Sequence, residues 1–249
     1  MSIVFKKTQG LTDVPFSYCP GCTHGIIHRL VAEVLEELNI LERSITIASV
    51  GCSVFAYDYF NTDALQSAHG RAPAVATGVK RMHPDKIVFT YQGDGDLASI
   101  GAAEIIHAAN RNENITVIFV NNAIYGMTGG QMAPTTLYNQ VTTTTPHGRE
   151  IISGAPLKMS EMIATMEHIA YVERCMVADA PSIQKTKKAI KKAFQTQINN
   201  EGFSMVEILS SCNIGWKLSP VESLSYIKNT MTQTFPLGVF REKKHETNH

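Results

Sequence analysis

The chain of 249 residues is 44% hydrophobic and 18% charged, a balance that fits one large α/β domain able to bury its own core. Lys plus Arg equal Asp plus Glu at 22 each, so no global field directs the protein to nucleic acid or to an anionic membrane. The amino terminus lacks the long apolar run of a signal peptide, and no window approaches a membrane span. We therefore expect a soluble, cytoplasmic protein.

Strand and helix patterns alternate along the chain. The first half indicates strand, helix, strand, helix and strand, and the second half adds a short helix followed by strand, helix and strand. In chain order, the predicted elements are a strand at 45–50, a helix at 72–82, a strand at 86–91, a helix at 99–110, a strand at 115–120, a helix at 160–168, a strand at 171–177, a helix at 182–198 and a strand at 203–209. This alternation predicts an α/β fold with a parallel sheet and helices on both faces.

Two segments lack a regular pattern. Residues 128–156 are rich in Thr, Gly, Pro, Asn and Gln, and a loop of this length is expected to be functional or bound by a partner. Residues 240–249 are almost all polar or charged, so we expect a tail that is frayed or held by a partner. Because no linker, repeat or low-complexity tract divides the chain, residues 1–249 are predicted to form a single domain.

Polar residues follow two neighbouring predicted strands. Gly93-Asp94-Gly95-Asp96 comes directly after one strand and before a helix, where glycines let a ligand approach the backbone and a helix amino terminus favours an anion. Asn121-Asn122-Ala123-Ile124 ends the next strand. Carboxylate, amide and carbonyl oxygens suit Mg²⁺, which commonly shares its shell with phosphates. The alternative is that both segments are ordinary turns.

Four of the five cysteines fall at loops or at the ends of elements. Cys19 and Cys22 form a Cys-Pro-Gly-Cys motif, while Cys52 and Cys212 each follow a predicted strand. Four thiolates can hold a [4Fe-4S] cluster or a zinc ion. A third alternative is a thioredoxin-like redox site that uses Cys19 and Cys22 alone, since a helix pattern follows them. Cys175 lies on a predicted strand and is expected to be a buried apolar residue.

These motifs carry a resemblance to a known family. Gly-Asp-Gly followed by Asn-Asn at this spacing resembles the motif of thiamine-diphosphate enzymes, and NNAIYGMTGGQMAPTT at 121–136 resembles the β subunits of 2-oxoacid:ferredoxin oxidoreductases. The similarity covers most of the chain and implies the thiamine-diphosphate-binding fold. The resemblance implies that the cofactor and its Mg²⁺ are bound by Gly93, Asp94, Gly95, Asp96, Asn122, Ile124, Thr128, Gly129, Gly130 and Gln131, with Asp94, Asn122 and the Ile124 carbonyl on the metal.

The cysteine pattern also resembles that family, whose β subunits pair an amino-terminal CPGC with a later GC and a carboxy-terminal Cys. The resemblance implies that Cys19, Cys22, Cys52 and Cys212 are the ligands of a [4Fe-4S] cluster, in segments near the two ends of the domain.

Three further ionisable residues are candidates for the site. His69 and Arg71 lie in a segment that resembles one near the cofactor in the family, so either side chain could contact the diphosphate or the substrate carboxylate. The alternative is that Arg71 pairs on the surface and His69 only packs. His24, just after the CPGC motif, is a weaker candidate of the same kind.

The resemblance implies oxidative decarboxylation of a 2-oxoacid to an acyl-CoA and CO₂, with electrons passed through the cluster to ferredoxin. In that chemistry thiamine diphosphate adds to the keto carbon and takes up the electron pair left by CO₂. The family uses a separate α subunit for the pyrimidine ring, and no Glu here lies in a recognisable motif for activating that ring. We therefore expect an obligatory α subunit, with CoA, a 2-oxoacid and ferredoxin as further partners.

The substrate and the ferredoxin surface are open to narrower expectations. The segment 54–60, VFAYDYF, supplies aromatic surface without Lys or Arg, which favours a branched 2-oxoacid such as 2-oxoisovalerate, with 2-oxoglutarate next. The alternative is that these aromatics are ordinary core. The lysines between 185 and 192 could dock an acidic ferredoxin, but such a run is more often a solvated helix face.

Overall fold

The computed structural model describes residues 6–243. Its strands are β1 Ser44–Ala48, β2 Asp63–Gln66, β3 Ile87–Gly93, β4 Thr116–Asn121, β5 Tyr171–Met176, β6 Ser204–Leu209 and β7 Gly238–Glu242. They form one seven-stranded sheet in the order β2-β1-β3-β4-β6-β5-β7. Every pairing is parallel except that of β7, which runs antiparallel to β5 at the edge. The predicted parallel sheet is confirmed.

Helices connect the strands. They are α1 His24–Glu37, α2 Ala56–Tyr59, α3 Ala72–Met82, α4 Ala102–Asn110, α5 Met159–Ala164, α6 Ala180–Ile198, α7 Asn213–Trp216, α8 Pro220–Tyr226 and α9 Thr232–Thr234. A π-helical turn precedes α4 and another follows α8, while single 3₁₀ turns lie at Leu41–Arg43, Cys52–Phe55 and Ile151–Ser153. Among residues 6–243, no helix is long and apolar enough to cross a membrane.

The central strands are covered on both faces, so each contributes to two apolar layers. Phe89 and Tyr91 of β3 pack with α1 and α6, whereas Val88, the residue before Phe89, packs with α3, α4 and α5. Successive side chains of a strand point to opposite faces, and a strand buried on both faces is apolar throughout. Burial on both faces explains why the predicted strands are continuous apolar runs. The polar motifs follow the strands and lie at the carboxyl edge of the sheet.

The two strands that the sequence did not indicate lie at the edges of the sheet. Strand β2 has four residues and is largely exposed, so it carries no apolar pattern. Strand β7 includes Phe240, which packs against the layer formed by α3, α4 and α5. The tail expected at 240–249 therefore begins later than predicted, and residues 244–249 lie outside the described part of the chain.

Candidate active site

The polar ends of β3 and β4 meet at the carboxyl edge of the sheet. These strands are parallel neighbours, with Gly93 in register with Val120, so the segments that follow them leave the sheet side by side. Both segments line one cavity of about 110 Å³. Ligands of open parallel sheets collect at this edge, and the sequence placed its oxygen-rich motifs there.

Asp94 is buried at the base of this cavity. Its Oδ1 accepts a hydrogen bond from the Gly95 amide at 2.9 Å, and its Oδ2 accepts one from the Thr135 hydroxyl at 2.5 Å. Burial raises the pKa of the Asp94 carboxyl from 3.8 to about 6, because the charged form is poorly solvated there. A bound cation would stabilise the ionised carboxylate, which is the form that binds Mg²⁺.

The turn after β4 brings further oxygens to the cavity. Ala123 has a φ of 57°, which is uncommon for a residue other than glycine. The Asn122 side-chain oxygen accepts a hydrogen bond from the Ile124 amide at 3.2 Å, and the Asn122 carbonyl accepts one from the Trp216 indole at 3.0 Å. Asn122, Ile124 and Asp94 all line the cavity, so the three residues fit an oxygen-ligated cation.

Glycines give a ligand access to the backbone of this site. Gly51 and Gly93 line the cavity, and a Cβ added at either position would meet no atom within 4 Å. Gly95 differs, because a Cβ there would lie 2.2 Å from the ring of Tyr125. The open backbone at Gly51 and Gly93 fits the approach of a diphosphate, while Tyr125 closes the site at Gly95.

Asp96 has a different role from Asp94. Its carboxylate accepts hydrogen bonds from Ser49 Oγ at 2.8 Å, from the Gly70 amide at 2.6 Å and from Gln92 Nε2 at 2.6 Å. His69 Nδ1 lies 2.5 Å from Asp96 Oδ1. With its oxygens engaged by these four groups, Asp96 orients His69, which lines the cavity, instead of offering a free ligand oxygen.

Arg71 is not brought to this cavity. Its guanidinium forms an ion pair with Glu104 of α4, and the side chain is partly exposed. The residue stands immediately before α3, and the packing of α3 against α4 directs it to that carboxylate. The surface pairing considered for Arg71 is therefore what the structure contains.

The glycine-rich segment after Tyr125 reaches the cavity at one point. Thr128 lines the cavity, whereas Gly129, Gly130 and Gln131 do not. Gln131 instead supports Thr128, because its Nε2 donates to the Thr128 carbonyl at 2.9 Å and its Oε1 accepts from the Thr128 hydroxyl at 2.6 Å. Gln131 thus fixes Thr128 at the edge of the cavity. Thr135, further along the same loop, was missed as a partner of Asp94 because only the fold brings it there.

The four motif cysteines meet in a second cavity of about 230 Å³. Cys52 and Cys212 are close together, since a Cβ added at Gly126 would lie 3.8 Å and 3.0 Å from their respective sulfurs. Burial raises the pKa of Cys22 to about 11 and that of Cys212 to about 12. These thiols need a bound cation to be thiolates at neutral pH.

The two cavities share a wall. The residues common to both linings are His24, Cys52, Asn122, Gly126 and Met127. His24 is buried, its Nδ1 lies 2.8 Å from the Tyr91 hydroxyl, and burial lowers its pKa to about 4. A neutral imidazole therefore separates the oxygen-rich cavity from the cysteine-lined one. Cys175 is buried outside both linings.

Comparisons with known proteins place these features in a family. Residues 49–208 match the family model of the thiamine pyrophosphate enzyme C-terminal TPP-binding domain. The chain is 47% identical over 245 residues to ketoisovalerate oxidoreductase subunit VorA of Methanothermobacter marburgensis, covering 98% of this chain and 51% of the relative. It is 38% identical over 223 residues to 2-oxoglutarate synthase subunit KorB of Methanocaldococcus jannaschii, covering 86% and 78%.

A solved structure agrees with these relatives. The 2-oxoglutarate:ferredoxin oxidoreductase from Magnetococcus marinus, with 2-oxoglutarate, coenzyme A and succinyl-CoA bound, matches with a TM-score of 0.79 and 26% identity, over 97% of this chain and 86% of that one. The chain spans about half the length of the VorA relatives. It belongs to the thiamine-pyrophosphate-binding enzymes and, among them, to the subunits of 2-oxoacid oxidoreductases.

Proposed function

We propose that the chain is the β subunit of a cytoplasmic, CoA-acylating 2-oxoacid:ferredoxin oxidoreductase that prefers 2-oxoisovalerate. In this proposal Asp94, Asn122 and the Ile124 carbonyl hold Mg²⁺ and, through it, thiamine diphosphate. A [4Fe-4S] cluster is held by Cys19, Cys22, Cys52 and Cys212. The observation that carries the proposal is the shared wall between the two cavities, one lined by the oxygen-rich motifs and the other by all four cysteines.

The two groups would supply the chemistry that side chains lack. When bound, thiamine diphosphate would supply the carbanion and the electron sink that decarboxylation of a 2-oxoacid needs, and an iron-sulfur cluster would supply a one-electron acceptor. The chain binds and orients these groups. Asp94 provides the carboxylate, the glycine backbone at Gly51 and Gly93 admits the diphosphate, and His24 stays neutral between the two sites. His69, held by Asp96, is placed to donate to an anionic group in the first cavity.

The cysteine geometry favours a cluster over the alternatives. All four cysteines line one cavity of about 230 Å³, a space that suits a multi-iron cluster better than one zinc ion. A thioredoxin-like site would use Cys19 and Cys22 alone and gives no reason for Cys52 and Cys212 to join them.

The lining of the cavities supports a branched-chain substrate. No Lys or Arg of the described residues lines either cavity, so a second carboxylate would lack a Lys or Arg partner among these residues. Within the aromatic segment, Phe55 lines the cysteine cavity, whereas Tyr59 and Phe60 are core residues and Tyr57 is exposed. The 47% identical relative is named for ketoisovalerate, and the 38% identical one for 2-oxoglutarate. One aromatic ring, not the whole segment, thus supplies the apolar contact.

Further subunits are part of the proposal. No Glu of the described residues lines either cavity, so these residues do not supply the group that activates the aminopyrimidine ring. VorA and KorB are both named as subunits. We assign that contribution to an α subunit, and the remaining partners are ferredoxin, CoA and the 2-oxoacid. Residues 1–249 are proposed to form one domain of this assembly.

The test is a substrate panel on the complex purified with its partner subunits without oxygen. The assay follows CoA-dependent reduction of a low-potential acceptor. In it, kcat/KM should be roughly 10-fold or more higher for 2-oxoisovalerate than for 2-oxoglutarate, because the apolar branch is buried. The complex should be brown, with broad absorption at about 400 nm. A clear preference for the dicarboxylate would contradict the substrate assignment, and a colourless complex with stoichiometric zinc would contradict the cluster.

A further inference from the structure

A buried ionic cluster lies beneath the turn that follows β4. Glu207 of β6 is fully buried, and its Oε1 accepts a hydrogen bond from Asn121 Nδ2 at 2.8 Å. Its Oε2 accepts one from the Ser160 hydroxyl at 2.5 Å and lies 2.9 Å from Arg174 Nε. Arg174 is itself buried and also pairs with Glu161. The proposed function assigns no role to this cluster.

The Glu207 carboxylate of this ionic cluster determines how the Asn121 side-chain amide is oriented. A carboxylate accepts hydrogen bonds only, so the Asn121 NH₂ group must face Glu207 and its Oδ1 must face the other way. That oxygen accepts a hydrogen bond from the Ala123 amide at 3.1 Å. The bond spans the residue between them, which is Asn122, and it holds Ala123 in its left-handed conformation.

The same turn is held from its other side by the long loop. The Ala123 carbonyl accepts hydrogen bonds from the Thr136 hydroxyl at 2.7 Å and from Gln140 Nε2 at 3.0 Å. Loop contacts thus fix the carbonyl of Ala123, while the Glu207–Asn121 pair fixes its amide. Buried ion pairs are expensive to desolvate and add little stability over apolar packing, so a positioning role accounts for this one better than stability does.

We infer that Glu207 is a positioning residue that, through Asn121, places the Asn122 and Ile124 oxygens for the metal. The inference rests on the proposed function, in which those oxygens bind Mg²⁺. Partners of metal ligands typically change affinity 10- to 100-fold when they are lost.

The test exchanges donor and acceptor between the two positions. Glu207→Gln would turn its oxygen to Ser160 and Arg174, and its NH₂ group would then oppose that of Asn121. Asn121→Asp would place two carboxylates together. The double variant Asn121→Asp/Glu207→Gln restores one donor and one acceptor at the contact. Ser160→Ala is the matched control, because it removes a hydrogen bond from the same carboxylate on the side away from the turn.

The measurement is the Mg²⁺ concentration that gives half-maximal binding of labelled thiamine diphosphate, determined by equilibrium dialysis of the complex stripped of both. Each single variant should raise it roughly 10- to 100-fold, and the double variant should return it near the wild-type value. Ser160→Ala should leave it unchanged although it unfolds at lower urea. Iron content reports whether each complex has assembled.

Other results would overturn the inference. Single variants that bind Mg²⁺ as the wild type does, or a double variant that is not restored, mean that the pair does not position the turn. A wild-type complex without Mg²⁺-dependent binding would instead overturn the proposed function, and the inference with it. If the single variants do not assemble, Asn121→Ala replaces them, since it removes the link without opposing like groups, and unchanged Mg²⁺ dependence there refutes the inference.

Discussion

Replacing Asp94 with Asn should stabilise the metal-free protein while abolishing Mg²⁺-dependent cofactor binding. Asp94 is buried, and burial raises its pKa from 3.8 to about 6. The folded and unfolded states thus differ by about two units in the pKa of this carboxyl. That difference corresponds to roughly 3 kcal/mol of unfolding free energy, which is lost when the buried group ionises. The asparagine variant avoids that loss. Its amide oxygen can still accept from the Gly95 amide, and its NH₂ group can donate to the Thr135 hydroxyl oxygen, so both contacts are kept with the Thr135 hydroxyl turned from donor to acceptor.

The effect depends on pH in a direction that can be worked out. A carboxyl group with a raised pKa binds its proton more tightly in the folded state, so its contribution to stability is full below pH 3.8 and is lost as the pH rises through about 6. The variant should therefore exceed the wild type by up to roughly 3 kcal/mol at about pH 8, and the difference should shrink towards about pH 4.

Urea unfolding of the metal-free chain measures this difference, and Trp216, the sole tryptophan, provides the signal. The matched control is Asp96→Asn, two residues away and equally buried. Four groups face the Asp96 carboxylate, so its replacement should instead destabilise the protein by roughly 1–3 kcal/mol. An Asp94→Asn variant that is less stable at about pH 8, or whose gain is the same at both pH values, would refute the burial argument.

Three further predictions concern the cysteine site and the long loop. Replacing one motif cysteine with Ser should lower the iron content of the complex, whereas Cys175→Ser should not, and equal iron in all variants would exclude the ligand set. The motif cysteines are Cys19, Cys22, Cys52 and Cys212. Gly215→Ala should also lower the iron content, because the new Cβ would lie 2.9 Å from Cys212 Sγ, while Gly78→Ala, with open space, should not. Arg149→Met should lower the free energy of unfolding by roughly 3 kcal/mol or more, measured in urea, because this buried guanidinium donates to six backbone carbonyls of the long loop.

The sequence predicted the interior of the sheet well because burial on both faces leaves a clear signal. Helix α3 begins and ends as predicted, and each apolar strand agrees with its prediction to within two residues at both ends. The helix predicted at 99–110 ends at Asn110 as expected, but α4 begins only at Ala102, because a π-helical turn, Asp96–Ile100, and Gly101 precede it. Gly101 packs so tightly on Gly70 that a Cβ there would lie 2.8 Å from the Gly70 carbonyl oxygen, a contact that no periodicity reveals.

The site itself was predictable only in part. Motifs that follow directly on strands, such as Asp94 and Asn122, come together because parallel strands end at one edge. Thr135 could not be assigned to Asp94, since the two are separated by 41 residues and are joined by the path of an irregular loop. Arg71 was misplaced for the converse reason: His69, two residues earlier, lines the cavity, but the Arg71 side chain points to α4.

The lysines of α6 illustrate how a charge run is used inside the fold. Lys187 pairs with Glu33 and Glu37 of α1, and Lys191 pairs with Glu37. Such partly exposed pairs contribute roughly 0.2–1 kcal/mol each, so the apolar contacts between α1 and α6 hold the helices together and the pairs fix their alignment.

The alignment of α1 with α6 matters for the proposed [4Fe-4S] site, because α1 begins two residues after Cys22. Lys187 and Lys191 are engaged by carboxylates of α1, so these two lysines would have to give up their ion pairs to bind an acidic partner. Among the four motif cysteines, Cys19 is exposed, whereas the other three are only partly exposed. If these cysteines hold the proposed cluster, its edge at Cys19 is the part that solvent and an electron carrier reach most easily on this chain, because electron transfer falls steeply with distance.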